Sequence, residues 1–317
     1  MSMDNFVQIS YDRHENHFKD YTIGGKRENH AKTWLKEDTV DAWRLKRMYT
    51  LVDPLFACYP NSTWLTVGDA RYGKDAHYIQ QKGLRVLPTD ISDHLLKEAA
   101  QIGYISNYKK ENAECLSFPN NEFDFVFCKE SFHHFPRPMI ALYEMLRVSR
   151  KGVVLLEPCD SNQNIPSISE LFKIKIINGL KLVAPLKSKS DDNNNFREEQ
   201  GNYEVVGNYV YTISKREIIK VALGLNFDMI AFKGFNDHYI ENIEYENVSD
   251  NTESFKIIKD RIDKQDILCK KGLASYSLLV TIIFKESPTE KCKKQLIENN
   301  YEVIKLSKNP YINKNTS

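Results

Sequence analysis

Short apolar runs alternate with amphipathic stretches in the first half of the chain, and this pattern predicts strands that alternate with helices. Strand–helix alternation is typical of a parallel sheet, and near-continuous apolar strands are typical of a sheet that helices cover on both faces. The pattern therefore predicts a doubly wound α/β fold with a mostly parallel sheet. The predicted strands span residues 64–69, 84–90, 123–128 and 152–157, with helices at 75–81, at 94–101 and from Pro138 onward.

The segments on either side of this core follow other patterns. The first 60 residues are polar and helical in character, and residues 39–55 predict one amphipathic helix. A lysine-rich and then asparagine-rich stretch interrupts the alternation after residue 160, which indicates an inserted cap. The chain thus divides into residues 1–60, a core at 61–160, a cap at 161–203 and a completing part at 204–317.

Alternation resumes in the last of these parts. Ser214 and Glu217 form a capping box, in which each side chain can bond the backbone of the other, and this predicts a helix over residues 215–223. The strongly apolar run at 276–285 predicts a central strand. Further predicted elements are a strand at 229–233, a helix at 251–269 and a helix with a short strand after Thr289.

The composition limits the classes of binding partner and the cellular compartment that we expect. The 44 basic and 43 acidic residues leave a net charge of +1, so no general field attracts nucleic acid or an anionic membrane. The six cysteines form no C-x-x-C pair, which argues against a zinc or redox motif and fits reduced thiols. The longest apolar run is too short to span a bilayer, and the first residues lack the apolar stretch of a signal peptide. We therefore expect a cytoplasmic protein that binds no metal, nucleic acid or membrane.

A glycine-containing turn follows the first predicted strand and precedes the first core helix. Its sequence, VGDARYGK over residues 67–74, lets the backbone bend tightly and presents helix N–H groups to an electronegative ligand. Asp90 ends the next predicted strand, where a carboxylate can accept hydrogen bonds from both hydroxyls of a ribose. A plain turn, or a nicotinamide or flavin site, also fits this segment taken alone. The candidate nucleoside-binding residues are Gly68, Asp69, Ala70, Gly73, Asp90 and Ile91.

Three further segments resemble the class I, Rossmann-like S-adenosylmethionine-dependent methyltransferases of the type 11-like group. They are NAECL before the third strand, CKESFHHF after it, and the helix, turn and strand of ALYEMLRVSRKGVVLLEP. The resemblance covers about residues 62–160 and implies a seven-stranded sheet, S-adenosylmethionine as cofactor and a lid made by the amino-terminal helices. It also implies that Ala113 and Glu114 lie beside the adenine and that Lys129 contacts the cofactor.

The sequence departs from this family at the turn. Thr66 occupies the place of the family's acidic residue, which commonly binds the methionine amino group, so we expect Asp69 to take over that contact. Ala70 replaces the middle glycine. This form of the turn resembles that of bacterial enzymes that modify surface polysaccharides and small molecules, which implies a sugar or glycan precursor as acceptor.

Histidines are the candidate general bases, because a neutral imidazole is well suited to taking a proton near pH 7. His133 and His134 follow the third predicted strand, at the sheet edge where ligands of open α/β sheets bind. In the alternative interpretation, one of them packs in the core and the other only lines the cofactor. His238, in the segment GFNDHY, is the second choice for the base, and a simple turn is the competing interpretation there.

Other polar residues near this edge are candidates for binding the acceptor. Glu157 could instead orient a histidine or hold a divalent metal, although no tight ligand spacing supports a metal. His14, in the amino-terminal helices, is expected on the surface. The candidate acceptor-binding residues are Glu157, Tyr209, Asn236 and Asp237.

These features predict methyl transfer to an oxygen or nitrogen of a polar small molecule. One alternative is a non-catalytic binding protein with a degenerate methyltransferase fold, which the departures at Thr66 and Ala70 leave open. Another is a nicotinamide-dependent oxidoreductase, for which a full G-x-G-x-x-G motif is missing. A nucleic-acid methyltransferase is less favoured, because CKES stands where an NPPY-type tetrad would follow the third strand. The sequence leaves the identity of the acceptor and the oligomeric state open.

Overall fold

The computed structural model describes residues 3–160, 203 and 208–312, and it confirms the predicted doubly wound α/β fold. The strands are β1 Thr63–Val67, β2 Arg85–Asp90, β3 Lys109–Lys110, β4 Phe123–Lys129, β5 Ser149–Pro158, β6 Met229–Phe235, β7 Leu278–Phe284 and β8 Glu302–Lys305. They form one sheet in the order β3-β2-β1-β4-β5-β7-β6-β8. Strands β1 to β5 pair in parallel, whereas β7 is antiparallel to both of its neighbours and β8 is antiparallel to β6.

The helices follow the predicted alternation, with one correction. They are α1 Met3–Lys19, α2 Glu28–Thr33, α3 Val40–Tyr49, α4 Asp53–Cys58, α5 Lys74–Gln81, α6 His94–Gln101, α7 Pro138–Val148, α8 Lys215–Gly224, α9 Glu253–Lys270 and α10 Glu290–Glu298. The single helix predicted over residues 39–55 is wrong, since α3 ends at Tyr49 and α4 begins afresh at Asp53. Pro54 lies in the first turn of α4, because a proline cannot donate the hydrogen bond that a continuing helix needs.

The sheet contains one strand more than the seven that the resemblance implied. The additional edge strand β3 has only two residues, too few to leave a periodic signal in the sequence. The predicted central position of the apolar run near residue 280 is confirmed, because every residue of β7 is buried between β5 and β6. Ser214 caps α8 as predicted, since its side chain accepts a hydrogen bond from the backbone N–H of Glu217.

The core lies on both faces of the sheet. Alternate residues of β4 point to opposite sides, so Phe125 and Phe127 pack with helices α3, α4, α5 and α10. Val126 and Cys128 pack on the other face with helices α7 and α8. This two-sided burial explains why the strands are apolar along their whole length.

The amino-terminal helices cover the edge at which the parallel strands end. Tyr21 and Trp34 form a third buried cluster with Tyr72 and Leu96, which follow β1 and β2. The predicted cap at 161–203, with its lysine-rich stretch, lies outside the described residues except for its last position. No helix among the described residues is both long enough and apolar enough to cross a membrane.

Candidate functional site

A cavity of about 450 Å³ lies at the carboxyl ends of β1, β2 and β4. Parallel strands bring the loops that follow them to one edge, so residues distant in sequence meet there. Helices α1 and α3 contribute to the opposite wall, and the volume is in the range of small-molecule pockets. The predicted nucleoside-binding residues in its wall are Gly68, Asp69, Ala70, Asp90, Ile91, Ala113, Glu114 and Lys129.

Gly68 brings two loops into contact below this cavity. Its φ of +80° favours glycine, and a Cβ added there would lie 2.3 Å from the Cβ of Ser131. Ser131 follows β4, and its hydroxyl donates a hydrogen bond of 2.6 Å to the carbonyl oxygen of Gly68. Gly73, with a φ of +66°, lies further along the turn as the residue before α5. The glycine at the strand end thus marks a close approach of two loops as well as a bend.

The carboxylate of Asp69 caps helix α5. It accepts hydrogen bonds from the backbone N–H groups of Asp75 at 3.1 Å and Ala76 at 2.9 Å, and from the hydroxyl of Thr66 at 2.8 Å. Burial raises the pKa of Asp69 well above its usual range. Both oxygens are therefore bound within the chain, and the expected contact of Asp69 with a methionine amino group stays a prediction.

Asp90 lies in the cavity wall at the end of β2. One of its oxygens accepts a hydrogen bond of 2.8 Å from the backbone N–H of Ser92, which fixes the carboxylate in place. Burial raises the pKa of Asp90 to about 7, because water is largely excluded from the charged form. A fixed, partly desolvated carboxylate at this position suits the predicted hydrogen bonds to a ribose.

Glu114 ties helix α1 to the loops of the sheet edge. Its carboxylate accepts hydrogen bonds from the Arg137 side chain at 2.6 Å and from the Tyr11 hydroxyl at 2.7 Å. Tyr11, His14 and Phe18 all line the cavity from one face of α1, so the expectation that His14 lies on the surface is wrong. Their spacing of three and then four residues is the sequence signal that could have placed them together.

His133 and His134 lie in a short 3-10 helix, Phe132–His134, directly after β4. The Nδ1 atom of His133 is 2.7 Å from the carboxylate of Glu157, which is fully buried. The other oxygen of Glu157 accepts hydrogen bonds of 3.0 Å from the backbone N–H groups of Ser131 and Phe132. His134 lines the cavity, with its ring centre 3.9 Å from that of His133. Glu157 thus contacts both the ring of His133 and the backbone of the same loop, and its predicted role in binding the acceptor stays a prediction.

Arg44, on helix α3 of the predicted lid, lines the cavity although no sequence motif indicates it. Its guanidinium lies in the cavity wall and is held by the carboxylates of Asp41, at 3.0 Å, and Asp237. The pairing with Asp237 joins helix α3 to the loop after β6, nearly two hundred residues away. The predicted acceptor-binding residue Asp237 is therefore a partner of Arg44, and its neighbour Asn236 is buried with its amide bound to Asp266 at 2.7 Å.

The two remaining candidates lie outside this cavity wall. His238 is 2.7 Å from the guanidinium of Arg261, and burial and that positive charge lower its pKa. The side chain of Tyr209 is about half exposed and borders a separate, more open depression with Tyr211. Their proposed roles in catalysis and acceptor binding stay predictions. Among the described residues, no group of three or more histidine, cysteine or acidic side chains is placed to hold a metal ion.

Solved structures similar to this chain come from bacteria, archaea and animals. The YcgJ protein of Bacillus subtilis has 16% identity and a TM-score of 0.44, and the alignment covers 76% of this chain and 100% of that one. A SAM-dependent methyltransferase from Archaeoglobus fulgidus has 14% identity and a TM-score of 0.44, with coverage of 76% and 94%. Phosphoethanolamine N-methyltransferase 2 from Haemonchus contortus, solved in complex with S-adenosyl-L-methionine, has 15% identity and a TM-score of 0.45, with coverage of 75% and 52%.

Residues 65–156 match the protein-family model described as a methyltransferase domain. The matched segment runs from β1 into β5 and includes the turn at Gly68, Asp90 and the two adjacent histidines. Among curated proteins, none matches the chain. The family match confirms the resemblance that the sequence motifs carry.

Proposed function

We propose that this class I S-adenosylmethionine-dependent methyltransferase methylates a hydroxyl or amino group of a polar small molecule, such as a sugar or glycan precursor. The observation that carries the proposal is the ring nitrogen of His133, 2.7 Å from a fully buried carboxylate and next to a residue of the cavity wall. An acceptor hydroxyl or ammonium must lose a proton when it is methylated. A histidine oriented by a carboxylate is a suitable group to receive that proton.

The residues of the cavity fit the cofactor. S-adenosylmethionine supplies a methyl group on a positively charged sulfur, so the chain has to position an acceptor, take its proton and exclude water. Asp90 would accept hydrogen bonds from the ribose hydroxyls, while Ile91 and Ala113 would contact the adenine. The close contact between Gly68 and Ser131 forms the floor on which the nucleoside would rest.

The position of the Glu157 carboxylate beside Nδ1 would determine which ring nitrogen of His133 carries the proton. An ionised carboxylate only accepts hydrogen bonds, so this contact would hold a proton on Nδ1 and make Nε2 the basic nitrogen of the neutral ring. The acceptor's proton would pass to Nε2, and the buried charge of Glu157 would stabilise the imidazolium that results. His134, in the cavity wall beside it, would contact the acceptor.

The direct test is to find the methylated product. The purified full chain is incubated with methyl-labelled S-adenosylmethionine and with separate polar, lipid and nucleic-acid fractions of a cell extract. We expect label in a polar small molecule, and at least about 10²-fold less label with a His133→Ala variant that still binds S-adenosylhomocysteine. Label found only in lipid or nucleic acid would contradict the proposed acceptor class.

The proposed setting is the cytoplasm. All six cysteines lie within the described residues, and all are free thiols. Buried thiols such as Cys128 and Cys292 are compatible with a reducing compartment, in which small metabolites and their methyl donor are found together. Fractionating the cells that make this protein, and detecting the chain in each fraction, tests the proposed location independently of turnover.

A further inference from the structure

We infer that Glu130 binds the ammonium group of the cofactor's amino-acid part, the contact for which the sequence offers no acid at position 66. The amino-acid part carries one ammonium and one carboxylate, so a pocket that encloses it needs an anion at a defined place. The inference rests on the cofactor lying in the cavity described above. It concerns affinity for the cofactor, whereas the proposed function concerns the acceptor.

Glu130 stands at the correct edge of the cavity for this contact. It is the first residue after β4, lies in the cavity wall, and is followed by Ser131, whose hydroxyl bonds the carbonyl oxygen of Gly68 at 2.6 Å. Its backbone N–H donates a hydrogen bond of 2.8 Å to the carbonyl oxygen of Leu156. Its φ of +48° is a backbone conformation that residues other than glycine rarely adopt. The chain thus accepts a costly backbone conformation that sets this side chain beside the glycine turn.

The other acids in the wall are already occupied. Asp69 caps helix α5 with both oxygens, as described above. Glu114 is bound to Arg137 and Tyr11, and Glu111 is bound to Lys109 at 2.6 Å and to Ser117. Asp90, which holds the N–H of Ser92, lies at the opposite, ribose end. Asp75, a further acid of the wall, is paired with the ammonium of Lys129 at 3.5 Å. Glu130 is therefore the wall carboxylate that we assign to the ammonium.

No hydrogen bond to the Glu130 carboxylate occurs among the described residues, and its nearest cation is Lys129, with Nζ at 3.8 Å. That ammonium lies closer to Asp75, at 3.5 Å. Arg44, the other cation of this cluster, is held between Asp41 and Asp237. Lys129 and Arg44 are thus each paired with other carboxylates, and neither donates a hydrogen bond to Glu130.

The charge state of Glu130 supports the same assignment. Burial alone would raise its pKa, but Lys129, Arg44, Arg71 and His133 outweigh burial and hold the pKa of Glu130 below its usual value. The carboxylate is therefore ionised at neutral pH. An ionised carboxylate makes a poor proton acceptor and a good partner for a cation, which separates its role from that of His133.

Calorimetric titration with two nucleosides tests the inference without an acceptor. The probes are S-adenosylhomocysteine and its desamino analogue, which lacks only the ammonium group. We expect wild-type protein to bind S-adenosylhomocysteine at least about tenfold more tightly than the analogue, and the Glu130→Gln variant to bind both with similar affinity. The matched control, Glu122→Gln, changes an exposed acid near the start of β4 and should keep the wild-type preference.

A Glu130→Gln variant that still prefers S-adenosylhomocysteine by the wild-type factor would overturn the inference. Equal weakening of both probes would also overturn it, because such a result means a general disturbance of the pocket. If wild-type protein bound neither probe, the cofactor site itself would be misplaced and the inference would fall with it. Loss of turnover with an unchanged preference would assign Glu130 to the acceptor instead.

Discussion

The Nδ1 atom of His133 lies 2.7 Å from the carboxylate of Glu157, across the gap between the loop after β4 and the end of β5. The carboxylate is fully buried, and its second oxygen holds two backbone N–H groups of the same loop. One side chain thus fixes both the path of the loop and the orientation of the ring. Burying a carboxylate costs free energy, and the hydrogen bonds to both of its oxygens offset that cost.

Replacing this acid by its amide should separate the two roles. Glu157→Gln keeps an oxygen for the backbone N–H groups of Ser131 and Phe132 but offers an N–H to the ring, which moves the ring proton to Nε2. We expect turnover to fall at least about 10²-fold while the affinity for S-adenosylhomocysteine changes less than about threefold. Steady-state rates and calorimetry on the same preparation check this, and normal turnover would remove Glu157 from the mechanism.

The two adjacent histidines should respond differently to truncation. His133→Ala removes the proposed proton acceptor and should lower kcat at least about 10²-fold. His134→Ala removes a wall residue and should act mainly on KM. His238→Ala, at the second-choice position beside Arg261, should leave both constants near those of the wild type. Normal turnover in both the His133 and His134 variants would place the base elsewhere.

Two glycines offer a matched test of the floor of the cavity. Gly68 and Gly83 have similar φ values, +80° and +77°, but a Cβ meets Ser131 at 2.3 Å in the first case and nothing within 4 Å in the second. Gly83→Ala should cost about 1 kcal/mol of unfolding free energy from the left-handed backbone alone. Gly68→Ala should cost more and should abolish cofactor binding.

Urea unfolding of both glycine variants measures these costs. The double variant Gly68→Ala with Ser131→Gly removes the colliding Cβ, and it should recover part of the lost stability. Equal destabilisation by the two single substitutions would show that the loops are not held as closely as the structure indicates.

The affinity for the cofactor should depend on pH through Asp90. Its pKa of about 7 lies above the usual 3.8, so the empty protein holds a proton there at slightly acidic pH. Ribose hydroxyls bond best to the ionised form, so the affinity for S-adenosylhomocysteine should fall below pH 7 by up to about tenfold per unit. Binding at pH 6.5 should also release a proton, which calorimetry in buffers of different ionisation enthalpy detects.

The same shift predicts the sign of the effect on stability. Between its ordinary pKa and about 7, the folded state retains a proton on Asp90 that the unfolded state has lost, so this group makes the empty protein less stable as pH rises through that window. In Asp90→Asn this contribution is absent, and so is the pH dependence of binding. An unchanged pH profile in that variant would assign the titration to another group.

Local sequence patterns predicted the parts of the site that depend on neighbouring residues. The turn at Gly68, the strand end at Asp90 and the helix cap at Ser214 are each set by a few adjacent residues, and the structure places all three as expected. The reciprocal half of the capping box is not formed, because the Glu217 carboxylate accepts a hydrogen bond from the Tyr211 hydroxyl. The match of family motifs over the same region explains why the cofactor could be predicted from residues 62–160 alone.

Contacts between distant segments could not be predicted in this way. Asp237 is predicted to bind the acceptor, and its ion pair with Arg44 of helix α3 adds a contact that the sequence does not indicate. Asn236 looked like part of a polar site, but α9 packs over it and its amide is bound within the core. His14 lies in a polar helix whose inner face is defined only by the cavity that it covers. In each case the deciding partner is far away in sequence.

The most direct test of the account is calorimetric titration of S-adenosylhomocysteine into wild-type protein and into Asp90→Ala. Asp93→Ala serves as the control, because it removes a carboxylate three residues further on. The account predicts binding to the wild type and to the control, and affinity more than about tenfold lower for Asp90→Ala, since a wall carboxylate that bonds both ribose hydroxyls is lost. Equal affinity in all three proteins would contradict the placement of the cofactor between Gly68 and Asp90.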